Sequence, residues 1–493
     1  MARLIQRTGR WLAVASAIPL AACIDTSVII EPTLEGLAAA CGQSTYAVNT
    51  SNEIVSGGSA TTDLTVHDAL CTGRSACSLR AALYTAAVCR ASGPKTIVLP
   101  AGGTSFFLSS NQPITPLLRV LDRREEPDTG PVRLPRVYGD VTIEGNGAVI
   151  NYRRNPFARG TDFARLFHVH RNGSLILNDL TISGFQSEGG FSELPRVNSG
   201  QVVLNDGVLR MTNVAVRQSQ NAIDNYGYAR ILSSVFERNN GAFRNWARAS
   251  LDQARFINNQ TTGSPVALIS SSSFTNMRGR DARLISSIFQ NNMAVNVIAN
   301  GGQMEMVNSS VIGNTAHRRN RHDVIQNAGD LTLSNVTVSD NGSDEAFSII
   351  RCEPGLDPAN VSPTADASLT LRDTTLADNV AGASLRGDEQ CLIRYDNALI
   401  AANSIRGSDC AATLSTDVVN RSADTDGTCG TGFSIAGPRL APLAFNGGTT
   451  PNRLPLAGSP LIDAGSGCGT FDQRLLLRPQ GRACDIGAVE SRP

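Results

Sequence analysis

The 493-residue chain carries 43 Lys plus Arg against 43 Asp plus Glu, so it is formally neutral, and only 5% of it is aromatic. No basic excess asks for nucleic acid as a partner, and no acidic excess marks a solvating tail. Length alone suggests two to four domains, but a solenoid lengthens by adding turns instead of enlarging one core.

At the N-terminus, Arg3, Arg7 and Arg10 precede a short apolar run, Trp11 to Leu20, too short to span a bilayer. It leads into Leu20-Ala21-Ala22-Cys23, which resembles the lipobox of bacterial lipoproteins. The resemblance implies a signal peptide over residues 1–22, with Cys23 acylated and the protein exported and held in the cell envelope by lipid. Ile24 after that cysteine resembles the outer-membrane sorting pattern of enteric bacteria. The alternative is ordinary secretory cleavage after Ala17, at Ala15-Ser16-Ala17. Of the 11 cysteines, removing Cys23 leaves ten, an even number suited to an oxidising compartment. Cys41, Cys71, Cys77 and Cys89 lie early; Cys352, Cys391, Cys410, Cys429, Cys468 and Cys484 lie late. Disulfides at the two ends follow, with the pairing left open, and no C-x-x-C zinc spacing occurs.

Residues 23–60, with Pro32, Gly57 and Gly58, read as a polar tether. Over residues 61–140, Ser78 is an N-cap for an amphipathic helix carrying Leu79, Leu83 and Val88, which Gly93-Pro94 ends. Thr96-Ile97-Val98-Leu99 and Ser105-Phe106-Phe107-Leu108 then read as strands. Cys77-Ser78-Leu79-Arg80-Ala81-Ala82-Leu83 resembles the start of the CSLREA-domain group of secreted bacterial β-helix proteins, with Ala81 where Glu is usual. That resemblance implies a helix closing the first coil.

Residues 141–405 repeat. An apolar residue is followed five positions later by another, and three positions further on by Asn. Leu333, Val338 and Asn341 show it, as do Leu371, Leu376 and Asn379; Met306, Val311 and Asn314; and Tyr395, Ile400 and Asn403. Leu284, Phe289 and Asn292 agree, with Leu251, Phe256 and Asn259, and Ile231, Phe236 and Asn239. Met211 with Val216, Leu177 with Ile182, and Ile269 with Phe274 keep the apolar pair alone. Irregular intervals exclude helical repeats and predict an all-β fold, a right-handed parallel β-helix, with strands in register and variable loops. The Asn is expected in a left-handed turn conformation, its amide stacking on the next. A β-sandwich with polar turns is the alternative, but it leaves the spacing unexplained.

Residues 406–493 change character. Leu456-Ala-Gly-Ser-Pro-Leu-Ile-Asp-Ala-Gly465, Asp472-Gln-Arg474, Arg478-Pro-Gln-Gly481 and Cys484-Asp-Ile-Gly-Ala-Val-Glu490 resemble the choice-of-anchor Q region of surface β-helix proteins. It is expected to cover the last coil. An anchor often follows that region; here the N-terminal lipid is expected to serve instead.

Chemistry is harder to place. The Asn-Thr-Asp, Asp-Asp, His-Gly and Arg-Ile-Lys signatures of polygalacturonase-like families are absent, as is a pectate-lyase Trp-Ile-Asp-His segment. His168 and His170 share one strand face, read either as two-thirds of a metal site or as solvated histidines opposite Phe167 and Val169. Arg318, Arg319, Arg321 and His322 form a basic loop, a candidate for holding uronate or phosphate groups or simply a solvated face. Arg386-Gly387-Asp388 copies an integrin-binding tripeptide by chance. Asp224, Asp373, Asp378 and Asp396 would line a groove if their coils align. No cofactor or metal is implied. The favoured role is a lipid-anchored envelope rod that is structural, adhesive or glycan-binding, with polysaccharide or a cell surface as partner. The alternative is a polysaccharide lyase or glycoside hydrolase on an acidic polysaccharide, which needs Asp, Glu, Arg or His side chains converging in one cleft.

Overall fold

A computed structural model describes residues 34–49, 71, 77–109, 134–153, 165–185, 202–261, 272–316, 323–342, 348–354, 356–357, 360–363, 367–401, 408–411 and 415–491. The chain winds into a right-handed parallel β-helix. Among the described residues, a major sheet of 22 strands and a minor sheet of 10 form its walls.

Each complete rung has one plan. A short strand of the minor sheet, such as Ile223–Asn225, turns a corner into a longer strand of the major sheet, Tyr228–Leu232. One left-handed residue, Ser233 at φ 47°, bends the chain into a second major-sheet strand, Val235–Glu237. The next rung repeats this in parallel register, Tyr228 beside Arg248 and Phe236 beside Phe256.

The apolar pairs seen in the sequence form the inward columns. Met211, Ile231, Leu251, Leu284, Met306, Leu333, Leu371 and Tyr395 stack in one. Val216, Phe236, Phe256, Phe289, Val311, Val338, Leu376 and Ile400 stack in another. Volume is balanced within a rung. Where the second column holds Phe236, Phe256 or Phe289, the first major-sheet strand turns in only Ala229, Ala249 or Ala282. Where it holds Val216, Val338 or Leu376, that place is Leu209, Leu331 or Leu369, so the rod keeps its width at native packing density. Phe274 departs from expectation: it stacks on Phe243 in the minor sheet, ring centroids 5.4 Å apart. Its proposed partner Ile269 lies outside the described residues.

Asparagines run up the interior in two ladders. In the expected one, Asn259, Asn292, Asn314, Asn341 and Asn379 are buried, each amide donating to the next Oδ1 at 2.9 Å. The left-handed conformation belongs instead to the preceding residue: Asn258, Asn291, Gly313, Asp340 and Asp378 all have positive φ. The ladder Asn is free to turn inward because its neighbour makes the bend. A second ladder, unforeseen, joins Asn205, Asn225, Asn245, Asn276, Asn300 and Asn327 at the end of each minor-sheet strand, at 2.7–2.9 Å.

The two ends differ. At the start, the stretch read as a tether contributes a helix, Leu34–Cys41, and a first rung strand, Thr45–Ala47, paired to Lys95–Val98. Ser78 caps the helix Leu79–Val88 by accepting from Ala81 N at 3.1 Å, and that helix buries Leu79, Ala82, Leu83 and Ala86 in the core. Disulfides Cys41–Cys89 and Cys71–Cys77 tie this end together. At the other end, Asp424 bridges to Ser434 and Cys410–Cys429 closes the last coil.

Residues beyond about 437 then run back along the outside of the major sheet. They reach five successive rungs, from Ser310 through Thr337, Thr375 and Leu399 to Ala423. Ile435, Leu461 and Ile486 pack on Ala377, Leu399, Ala401 and Ala423 as a second apolar cluster. Gln473, buried, donates from Nε2 to Ser309 O, Ser310 Oγ, Thr450 Oγ1 and Pro451 O, and its Oε1 accepts from Thr337. Arg478 pairs with Glu490 at 2.7 Å and Arg474 with Asp472 at 2.7 Å, all buried. Ser434 pairs with Asp424 at the last coil, but most of this region is a strap along the rod's side. Cys352–Cys391 and Cys468–Cys484 complete the pairing of all ten cysteines after Cys23.

Candidate functional site: a charged column and an aromatic shelf

In the minor sheet, Phe167, Val203, Ile223, Phe243 and Phe274 point into the core, so the residue after each faces outward. Val137 bridges to Val169, which sets Arg136 beside His168. The outward column therefore reads Arg136, His168, Leu204, Asp224, Arg244, Thr275. All six are buried despite facing outward. Such a row of ionisable groups must be paired to be tolerated. Arg244 grips Asp224 through both Nε and Nη2. Burial works against the Arg244 charge, and the Asp224 carboxylate more than offsets it, raising the guanidinium's pKa.

His168 is wholly buried, not solvated, and its Nε2 lies 2.8 Å from Asp206 Oδ2. Burial holds its pKa below the ordinary imidazole value, against the pull of the Asp206 hydrogen bond. A neutral imidazole facing a carboxylate donates through Nε2–H, leaving Nδ1 as an unprotonated lone pair with no hydrogen-bond partner. Arg165, two residues before the strand Phe167–Val169, belongs to the same cluster. Burial lowers its pKa to about 10, while Asp224 and Asp206 support its charge and Arg136 opposes it.

One step further along each rung the chain turns the corner, and the corner residues form a second column. Asp206, Tyr226, Trp246 and Met277 donate backbone N–H to Val169, Asn205, Asn225 and Asn245, so they stack rung upon rung. Tyr226 and Trp246 lie nearly parallel at 9°, centroids 5.3 Å apart. Towards the start of the rod, Tyr138 and His170 continue the row at 4.9 Å. Tyr138, Asp206, Tyr226 and Trp246 are half-buried and present their remaining surface to solvent. Gly207 and Gly227 follow Asp206 and Tyr226, and a Cβ on Gly227 would lie 2.0 Å from Gly207 O. The rungs of Asp206 and Tyr226 meet this closely because the position is bare on both, whereas Ala247 holds it beside Trp246.

The geometry joins side chains that the sequence left apart. His168 is reached by Asp206 from the next rung, Arg136 and Arg165 act on its charge, and Asp224, which supports Arg165, also holds Arg244. Asp224 is thus part of a cluster, but not with the other aspartates. Asp373 accepts from Asn397 and from Gly469 N of the strap, Asp378 pairs with Arg453, and Asp396 pairs with Arg372. These three serve the C-terminal half of the major sheet. Arg318, Arg319, Arg321, His322 and Cys23 lie outside the described residues. Arg386-Gly387-Asp388 lies at a minor-sheet strand end, with Arg386 half-buried. Among the described residues no three His, Cys, Asp or Glu side chains are arranged to hold a metal ion.

Chemically, flat half-exposed rings spaced by one rung suit the apolar faces of sugar rings. Guanidinium groups in a low-dielectric setting suit carboxylates. The Nδ1 lone pair of His168 is enclosed, so the imidazole shapes the charge behind the shelf and does not face solvent.

No family model matches the chain, and no curated protein matches it. Among solved structures, a pectate lyase, Pel9A, is similar at 15% identity with a TM-score of 0.36, over 91% of this chain and 96% of its own. The A-module of the mannuronan C-5 epimerase AlgE4 from Azotobacter vinelandii is similar at 16% identity and a TM-score of 0.31, over 70% of this chain and 88% of its own.

Proposed function

We propose that this protein binds an acidic polysaccharide lengthwise along the corner between its two sheets. The observation that carries this reading is the stacked, half-exposed Tyr226–Trp246 pair, set rung upon rung beside the His168–Asp206 and Arg136–Arg165 groups. The rings form a platform for successive sugars, and the cations behind it favour carboxylate-bearing ones. A rod of stacked rungs suits a polymer because both repeat along one axis. Attachment through an acylated Cys23 would hold this rod in the cell envelope, and labelling with a palmitate analogue, lost in Cys23→Ala, tests that part separately.

Trp246 supplies the assay. It is one of two tryptophans in the chain, and the other, Trp11, lies in the leader. In protein starting at residue 24, polygalacturonate or alginate oligomers should change Trp246 fluorescence saturably. Tyr226→Ala should weaken binding at least tenfold. No fluorescence change and no calorimetric binding with either polymer would refute the proposal.

A further inference from the structure

Although the chain is neutral, its charges are not evenly spread over the rod. On three consecutive rungs of the major sheet, the strands Val208–Arg217, Tyr228–Leu232, Val235–Glu237, Arg248–Asp252 and Arg255–Ile257 carry five arginines against two carboxylates. Arg210 and Arg230 are register partners on adjacent parallel strands, so two exposed guanidinium groups stand side by side. Like charges in that arrangement destabilise a sheet. Arg217 is answered by Glu237 at 3.1 Å and Arg248 by Asp281 at 3.3 Å. Among the described residues, no ion pair or side-chain hydrogen bond forms at Arg210, Arg230 or the exposed Arg255. Folding does not use these three cations, and two of them repel each other.

We propose that Arg210, Arg230 and Arg255 form a second binding surface, for a linear polyanionic polysaccharide. It is distinct from the corner shelf and does not depend on it. Charge complementarity selects the ligand's sign, and geometry its form. Arg210 and Arg230 stand one rung apart, about 4.8 Å and on the scale of one sugar residue, and Arg255 lies one rung further on, on the strand after the bend. Tyr228 stands two residues before Arg230, half-buried on the same face, and offers a ring beside the charges. The shelf lies one corner away, since Tyr226, Tyr228 and Arg230 alternate along a single stretch of chain. A polymer strand on each track would let one rod hold two chains, or one chain folded back.

The decisive experiment compares Arg210→Gln/Arg230→Gln/Arg255→Gln with the parent protein and with Tyr226→Ala. Binding to immobilised polygalacturonate is measured across a salt series, with circular dichroism confirming the fold. The arginine variant should bind at least tenfold more weakly at low salt. Its logarithmic salt dependence should be shallower by about one for each cation removed. The Lys triple variant at the same positions should retain most of the salt-dependent binding. Tyr226→Ala should leave the salt slope intact, so a failed shelf and a failed basic face give different results. Unchanged affinity and slope in the Gln variant would overturn the proposal. So would duplex DNA or phosphatidylglycerol vesicles that displace the polysaccharide and bind more tightly, since either would assign the face to another class of partner.

Discussion

Replacing Asn292 by Ala tests the idea that the interior ladder holds the rungs together. Its side chain makes four hydrogen bonds: Oδ1 accepts from Asn259 N and Nδ2, and Nδ2 donates to Phe256 O and Asn314 Oδ1, all at 2.8–2.9 Å. After truncation, Asn259 Nδ2 keeps Phe236 O and Asn314 Oδ1 keeps the Asn292 backbone N–H. Asn259 N loses its partner, while Phe256 O keeps its place in the ladder between adjacent strands, so one buried orphan should cost about 1–3 kcal/mol. Asn292→Asp should be worse, since it sets a buried carboxylate against two acceptors. Asn258→Gly, one residue before a ladder member and already at φ 53°, should stay within about 0.5 kcal/mol of the parent. A rod this long is not expected to unfold in one step, so the readout is hydrogen exchange by mass spectrometry, peptide by peptide. At about 2 kcal/mol, protection of peptides covering residues 251–259 and 284–292 should fall by about thirtyfold. Protection unchanged within a factor of five in Asn292→Ala would refute the reasoning.

His168 should make stability depend on pH. Because burial keeps the folded imidazole below its ordinary value, the unfolded chain takes up a proton first. The contribution is therefore complete above about pH 6.5 and lost as pH falls below it, by up to ~1.4 kcal/mol per unit, until the folded ring itself protonates. Melting curves of the parent and His168→Gln should diverge on acidification from about pH 7 to about pH 5; parallel curves would sink the assignment. Gln473→Ala removes three hydrogen bonds between strap and rod and two within the strap, and limited proteolysis should then clip residues after about 437 while the earlier rungs stay protected. A strap no more cleavable than in the parent would show that the apolar contacts of Ile435, Leu461 and Ile486 suffice alone.

Much of the rod was legible in the sequence because its signal is local and periodic. The five-residue step from Ile231 to Phe236 is the distance from one inward column to the next, with one left-handed residue between. The second ladder was missed, although Asn225-Tyr-Gly227, Asn300-Gly-Gly302 and Asn327-Ala-Gly329 spell it: an inward amide, then a bare corner where rungs touch. The site was only half legible. Alternation placed His168 on the outer face, but nothing in one sequence says that Asp206 stands above it, because 38 residues separate them and loop lengths vary. The strap was hidden for a related reason. Its register against the rod is set by single contacts such as Gln473 with Thr337, not by a period. One signal was available: outward positions turn small where the strap lies, as in Ser310, Thr337, Thr375, Ala401 and Ala423.

That strap also changes how the rod assembles. A simple solenoid settles turn by turn, each new turn using its predecessor as a template. Here the surface that completes the turns between Ser310 and Ala423 is made after them. Turns from Val141 to Asn300 can therefore finish early, while those of Ser310, Thr337 and Thr375 wait, partly uncovered, for a segment more than a hundred residues downstream. Such distant closure is slow, and it leaves strand faces open in the interval. The molecule thus has a fast front and a delayed rear, and truncation before Gln473 should leave the front folded and the rear prone to aggregate.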